Sequence, residues 1–303
     1  MTTLLLSTPE RAEVWGRVFA EAGERLLVDA ADVRDPGEVL HLACWTPPAD
    51  IARYTALKTV ISVGAGVDQM PPLPEGVTLV RTLAPGIEQM VRDYVVMAAL
   101  ALYRDLPVYI AQSAQGKWAP MPAPDAARRR VGIMGMGRIG RLAARSLTGL
   151  GFAVAGWSRS GAPVEDVEMF AQDDLVSFLG RTDILICLLP LTGATHGVLN
   201  AELLSHLPAG AALVQAGRGA QLDMAALRAA LDSGHMKAAM LDVTDPEPLP
   251  ADHWAWRHPK VLVTPHVAAQ TDAEEGAAHA LSVVSAARAG HAIPGRVDPQ
   301  RGY

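Results

Sequence analysis

From Val131 onward, short and nearly unbroken apolar runs alternate with helix-length amphipathic stretches, and this alternation constrains the fold more than any other feature of the chain. The runs are VGIMG (131–135), FAVAGW (152–157), DILICLL (183–189), AALVQAG (211–217), AAMLDV (238–243) and VLVTPH (261–266). They lack the in-and-out alternation of a half-exposed strand, which predicts strands covered on both faces and therefore a parallel sheet. The stretches 138–150, 201–207 and 223–233 carry apolar residues at helical spacing with Gly or Pro at their ends, as crossover helices do. The expected fold is α/β, with a Rossmann-type doubly wound parallel sheet.

The first hundred residues repeat the pattern on a smaller scale, with TLLLS, VLHLACW, TVISVGAG and TLVRT as strands. They predict a second, smaller flavodoxin-like α/β domain, and 303 residues is length enough for two domains. One long helix is expected at about 89–106 and another at about 272–289. The boundaries expected are 1–95 plus 272–303 for a discontinuous domain and 96–271 for the other, with a cleft between them if the last helix returns to the first domain.

Composition narrows the function. Half the residues are hydrophobic, 19% are charged, and the mean hydropathy is +0.17, which excludes a disordered or fibrous chain. With 26 Lys and Arg against 32 Asp and Glu, the formal charge of −6 repels a phosphate backbone, so no nucleic-acid partner is expected. The only basic cluster, Arg128–Arg130, is read as a solvated loop edge. Cys44 and Cys187 lie in apolar runs and suit buried free thiols, which points to a reducing cytoplasm. The start, MTTLLLSTPERAE, has no basic leader, and the longest helical apolar stretch, Tyr94 to Tyr103, falls far short of the ~20 residues of a bilayer span. Nine histidines show no zinc spacing, so no metal is expected, and no G-x-S-x-G elbow is present.

The strongest local signal is Gly135-Met136-Gly137-Arg138-Ile139-Gly140, a G-x-G-x-x-G placed directly after a predicted strand and opening a predicted helix. The first glycine allows the tight turn, the second lets backbone amides approach a pyrophosphate, and the third lets helix pack closely on sheet. The helix N-terminus adds unpaired N–H groups and partial positive charge. About 20 residues on, a domain selective for NAD presents a carboxylate to the ribose hydroxyls. This chain has Trp157-Ser158-Arg159-Ser160, where hydroxyls and a guanidinium suit a 2′-phosphate, so NADP(H) is expected in preference to NAD(H). Leu188, Pro190 and Ala216 are further candidate cofactor contacts.

Arg218, Glu247 and His266 each fall at or just beyond the C-terminal end of a late strand, the edge where open α/β sheets place ligands. At this point the sequence resembles the D-isomer-specific 2-hydroxyacid dehydrogenases, through GIMGMGRIG, VQAGRGAQLD and LDVTDPEPLPADHWAWRHPKVLVTPHVA, in the family's order over most of 131–270. Within the family the likeness is greatest to bacterial glyoxylate/hydroxypyruvate reductases of the A type, through VGAGVD (63–68), GIEQMVRDYV (86–95), KWAP (117–120) and WSRS (157–160). The sequence departs from the family in having Gln215 where Asn is usual and Thr244 where Phe is usual. It keeps Glu247, unlike the formate dehydrogenase branch.

The resemblance implies catalysis by Arg218, Glu247 and His266, with Asp242 on the nicotinamide amide and a substrate domain built from the N-terminal segment plus the C-terminal helix. It also implies a homodimer joined through the nucleotide-binding domains, with the segment near Trp118 approaching the partner. The chemistry fits those residue types. Protonated His266 can donate to a carbonyl oxygen that gains charge, Glu247 can fix its tautomer, and the planar fork of Arg218 can hold a carboxylate and polarise the carbonyl. The strand-end turn Gly64-Ala65-Gly66 can offer backbone N–H groups to the carboxylate, and Trp45 and Trp118 can wall the pocket to small acids. The expected reaction is NADPH-dependent reduction of glyoxylate and hydroxypyruvate. Its alternatives are a reductase of bulkier 2-keto acids and a non-catalytic NADP(H)-sensing protein of the corepressor kind.

Overall fold

A computed structural model of the chain describes residues 1–122 and 125–298, and it divides into two compact units. One holds Met1–Ile87 and the chain from Gln270 onward; the other holds Glu88–Ala269. These boundaries fall eight and two residues earlier than the expected 95 and 271.

In chain order the first unit contributes β1 (Thr2–Leu6), α1 (Pro9–Glu21), β2 (Arg25–Leu27), β3 (Val39–Cys44), β4 (Thr59–Ser62) and β5 (Thr78–Val80). Helix α2 (Pro85–Tyr103) leads out of it into α3 (Leu106–Ala114) and then β6 (Arg130–Met134), α4 (Arg138–Gly149), β7 (Ala153–Trp157) and β8 (Glu168–Phe170). There follow α5 (Leu175–Gly180), β9 (Ile184–Cys187), α6 (Ala201–Ser205), β10 (Ala211–Gln215), α7 (Met224–Asp232), β11 (Met236–Leu241), β12 (Val261–Val263) and α8 (Ala273–Ala289), which belongs to the first unit.

The first unit is a parallel sheet in the order β2-β1-β3-β4-β5, the flavodoxin arrangement. Alternate residues of its central strands face opposite ways. Leu5, Ala43 and Ile61 pack on Trp15 and Phe19 of α1 and on Ala277, Ala280 and Val283 of α8, while Leu4, Leu42 and Val60 pack on Tyr54 and Leu57. Helix α1 starts where Thr8 caps Arg11 N with Pro9 behind it, and α8 starts where Asp272 accepts from Glu274 N and Glu275 N. Both cysteines are buried free thiols, and burial pushes each up to about 12.

The second unit is a seven-stranded parallel sheet, β12-β11-β10-β9-β6-β7-β8, with helices on both faces, which is the doubly wound order extended by one strand. Its core gathers Met134, Phe178, Leu185, Leu213, Leu227 and Leu241. The order reverses between β6 and β9, and five of the six predicted apolar runs overshoot their strands at this edge, FAVAGW ending with β7 at Trp157. Those five strands end at Met134, Cys187, Gln215, Leu241 and Val263, and the one to three residues of each run beyond them form the loops of the C-terminal rim. Edge strands β2 and β8 are three residues long and carry no buried side chain, so they leave no apolar run to read.

The helix expected at about 89–106 is α2, which begins four residues earlier and stops at Tyr103, and α3 follows it at 65°. The break has a local cause. Pro107 lacks an N–H and its ring opposes the carbonyl four residues back, at Tyr103, while Asp105 turns left-handed at φ 58 and pairs with Lys237. No single helix among the described residues is long and apolar enough to cross a membrane.

Candidate active site

At the switch point the chain leaves β6 through Gly135, whose φ is 104 and whose amide donates to Trp157 O at 3.0 Å. A Cβ on Gly135 would fall 2.7 Å from Leu188 O, and one on Gly140 would fall 2.1 Å from Gly135 O, so no larger residue fits either position. Gly137 caps α4 without any side chain and faces open space, which leaves the first N–H groups of a twelve-residue helix available to an anion. A glycine cradle of this shape, opening on free helix N–H groups, suits a dinucleotide pyrophosphate. Arg138 at the helix start is held by Glu88 of α2, Nε to Oε1 at 2.8 Å.

At the end of β7, Ser158 N donates to Phe170 O and Ala162 N donates to Ser160 Oγ, so Ser158, Arg159 and Ser160 form a short turn with Arg159 exposed. No carboxylate occupies those three positions. Trp157, partly buried, packs against the core of the sheet, and the Leu188–Pro190 turn follows β9 directly beside the Gly135 turn.

The other half of the rim carries titratable groups. Strands β10, β11 and β12 are adjacent and parallel, with Gln215, Leu241 and Val263 in register, and Arg218, Glu247 and His266 follow three, six and three residues after them. His266 Nδ1 lies 2.8 Å from Glu247 Oε2, and the other carboxylate oxygen of Glu247 accepts from Thr244 N at 3.0 Å. The Arg218 loop is pressed against the Glu247 loop, since a Cβ on Gly219 would fall 1.9 Å from Thr244 O. Arg218 itself donates from Nη1 to Gly217 O at 2.8 Å.

The loop that carries His266 hangs on Asp242. Both oxygens of this carboxylate, 1% exposed, are engaged: Oδ1 accepts from Thr264 Oγ1 at 2.7 Å and Val267 N at 2.9 Å, and Oδ2 accepts from Ala268 N at 2.9 Å. The main-chain oxygen of Asp242 accepts from His266 N at 2.8 Å, and His266 takes a left-handed φ of 52. Tyr94 of α2 adds a 2.7 Å contact to Thr264 Oγ1, and burial pushes its phenol up to about 12, so it stays neutral. Asp242 thus holds the His266 loop, a job its position in the sequence did not reveal.

Gln215 and Thr244, the two departures from the family pattern, are both accommodated. Gln215 is buried and donates to Arg218 O at 2.8 Å, and Thr244 Oγ1 donates to Pro246 O at 3.0 Å.

In the first unit, Trp45 follows β3 and the turn Gly64-Ala65-Gly66 follows β4. The structure brings them together: a Cβ on Gly64 would fall 2.8 Å from Trp45 Cζ3. Gln69, not singled out from sequence, ties the group by donating from Nε2 to Trp45 O at 3.1 Å and to Ser62 Oγ and Gly66 O at 3.3 Å. Ser62 Oγ donates to Gly66 O at 2.7 Å. Trp118, 97% exposed, lies in the second unit and packs on nothing there.

A doubly wound sheet with a glycine cradle at its switch point, and a paired imidazole and carboxylate on the same rim, defines an NAD(P)-binding oxidoreductase. Residues 96–268, more than half of the chain, match the family described as D-isomer specific 2-hydroxyacid dehydrogenase, NAD binding domain, and the chain belongs to that family. It is 36% identical over 298 residues to glyoxylate/hydroxypyruvate reductase A of Salmonella paratyphi B, covering 95% of this chain and 96% of that one. Its structure is similar to a D-isomer specific 2-hydroxyacid dehydrogenase of Xanthobacter autotrophicus Py2 in complex with NADPH and MES, at 37% identity and TM-score 0.92 over 100% of this chain and 99% of the other. An NADPH-dependent glyoxylate/hydroxypyruvate reductase of Sinorhizobium meliloti in complex with NADP and sulfate is similar at 36% identity, TM-score 0.92 and the same coverage.

Proposed function

We propose that the protein reduces small 2-keto acids with NADPH, glyoxylate to glycolate and hydroxypyruvate to D-glycerate. The observation that carries this reading is the 2.8 Å His266–Glu247 pair on the rim that also holds the glycine cradle. When bound, the reduced nicotinamide supplies the hydride that adds to C2 of the keto acid.

The chain supplies the rest. With Nδ1 held by Glu247, His266 is left with Nε2 for the carbonyl oxygen, to which it donates a proton as charge develops there. Glu247 fixes the ring's orientation and tautomer and is itself fixed by Thr244 N. Arg218 offers its guanidinium fork to the substrate carboxylate and polarises the carbonyl, which sets distance and face. In the first unit, the Gly64–Gly66 turn and Trp45 are assigned to keto-acid recognition, with Gln69 holding their shape.

Ser158, Arg159 and Ser160 are assigned to the 2′-phosphate of NADPH. The absence of a carboxylate there, and the NADPH and NADP complexes of the two similar structures, support NADP(H) over NAD(H). The apolar side chains exposed on α2, α3 and the segment after them, Met97, Leu106, Ile110 and Trp118, support a homodimer joined through the second unit. Two buried free thiols suit a cytoplasmic location.

The deciding experiment compares kcat/KM for glyoxylate, hydroxypyruvate and phenylpyruvate with NADPH. Glyoxylate and hydroxypyruvate should exceed phenylpyruvate by at least about tenfold, since a site for two- and three-carbon acids rejects a phenyl group by its bulk. Preference for phenylpyruvate would overturn the substrate assignment, and tight NADPH binding with no turnover of any of the three would overturn the catalytic one.

A further inference from the structure

Two glutamines bracket Arg218, Gln215 at the end of β10 and Gln221 three residues beyond the arginine, and neither is exposed at all. A buried primary amide must place two donors and an acceptor or lose the hydrogen bonds it made with water. Gln221 places all of them. Its Nε2 donates to Leu189 O at 2.9 Å and Pro190 O at 3.1 Å, and its Oε1 accepts from Arg218 N at 2.8 Å. The amide cannot be turned over, because two carbonyls need the nitrogen and a main-chain N–H needs the oxygen. Cys187 Sγ lies 3.7 Å from the same Oε1.

Gln215 secures the other side of the arginine, donating from Nε2 to Arg218 O at 2.8 Å and accepting from Gly217 N at 3.4 Å. The N–H and the C=O of Arg218 are therefore each tied to a buried amide. Gln221 reaches further, because its two carbonyl partners belong to the turn after β9. That turn touches the glycine cradle on its other side, where a Cβ on Gly135 would fall 2.7 Å from Leu188 O and 3.0 Å from Leu189 N. The packing leaves no slack, since a Cβ on Gly217 would fall 2.3 Å from Gln221 Oε1. A contiguous path thus runs from the cofactor cradle through the Leu188–Pro190 turn and the Gln221 amide to the backbone of Arg218. An apolar side chain of the same size would fill that space without the desolvation cost of an amide; what it would lack is direction.

We propose that Gln221 is a positioning residue for keto-acid binding: it fixes the backbone of Arg218 against the Leu189–Pro190 turn and so sets where the guanidinium meets the substrate carboxylate. This rests on the assignment of Arg218 made above. Gln221→Met keeps the volume and removes every side-chain hydrogen bond, whereas Gln221→Glu keeps the acceptor for Arg218 N and loses the donors to the turn unless it is protonated.

The test measures glyoxylate KM, kcat, NADPH Kd and Tm for both variants, with Arg218→Ala beside them. Gln221→Met should raise glyoxylate KM about tenfold while kcat and NADPH Kd stay within about threefold. In Gln221→Glu, KM should be high at about pH 8 and fall toward the parent value as the pH drops to about 6, because a carboxyl facing two carbonyls takes up a proton and regains a donor. Should the Met variant not fold, that pH profile carries the test. The proposal is overturned if Gln221→Met has the parent KM, or if KM, kcat and NADPH Kd all worsen together in step with a fallen Tm. If Arg218→Ala raises KM and Gln221→Met does not, only the role of Gln221 fails; if Arg218→Ala leaves KM unchanged, the assignment of Arg218 fails and this proposal with it.

Discussion

Asp242→Asn decides between the role the family resemblance implies for this side chain, on the nicotinamide amide, and the one the structure shows, holding the His266 loop. In the structure the carboxylate receives three hydrogen bonds from that loop, from Thr264 Oγ1, Val267 N and Ala268 N. Asparagine keeps one oxygen. If that oxygen serves Thr264 and Val267, the new NH2 group faces Ala268 N, donor against donor, across a distance of 2.9 Å. Hydrogen bonds to an ionised acceptor contribute about 1.5–3 kcal/mol and neutral ones about 0.5–1.5, so two bonds weaken by about 1 kcal/mol each and a third worth about 2 is lost. The sum, about 4 kcal/mol, shifts the loop equilibrium by a factor of about 10³. His266 has reason to move once released, since its φ of 52 is itself unfavourable for a residue with a Cβ. Steady-state reduction of glyoxylate should show kcat down by about 10² to 10³, while NADPH Kd from fluorescence titration stays within about threefold. A variant with near-parent kcat would refute the reasoning, and a loss confined to NADPH affinity would return Asp242 to the nicotinamide.

Four further outcomes are expected. His266→Ala should lower kcat by about 10² to 10⁴ with NADPH binding intact, and near-parent turnover would remove the proton donor. Ser158→Asp should move the kcat/KM preference from NADPH toward NADH by repelling the 2′-phosphate; an unchanged ratio contradicts the assignment. His41, buried in β3 with Nδ1 2.7 Å from Thr59 Oγ1, is pushed by burial from 6.5 to about 4. The unfolded chain therefore takes up its proton first, and stability present above pH 6.5 is lost as the pH falls toward 4, by about 3 kcal/mol. Urea unfolding of His41→Gln should show a correspondingly flatter pH dependence in that window, and parallel curves for variant and parent would contradict it. Sedimentation at micromolar concentration should give a dimer that Trp118→Ala weakens, and a monomeric parent would overturn the dimer alone.

Much of the fold was legible because a strand covered on both faces has to be apolar throughout, and all six late runs became strands of the second sheet. The same rule overstated their length. Gly135, Leu188, Ala216, Asp242 and Thr264 are apolar or lie in apolar surroundings, yet they have left the sheet to form the rim, and periodicity does not distinguish a buried rim from a buried strand. The glycine turn could be read because steric exclusion singles out a residue type at fixed spacing. Arg218, Glu247 and His266 could be placed at strand ends, and their adjacency follows from strand order, which no local pattern carries. Gln69, Gln221 and the grip of Asp242 were hidden for another reason. Their partners are mostly main-chain atoms, and a main-chain N–H or C=O has no signature in sequence.

The first unit is made of both ends of the chain, and this sets an order on its synthesis. Ala277, Ala280 and Val283 of α8 complete the layer that covers Leu5, Ala43 and Ile61, and α8 leaves the ribosome after all of Glu88–Ala269. The nascent protein therefore closes its middle first, as a continuous segment with every strand of its own sheet in hand. Its opening third waits with one flank of a five-stranded sheet only half clothed until α8 emerges, an apolar surface of the kind that makes unfinished chains prone to aggregate.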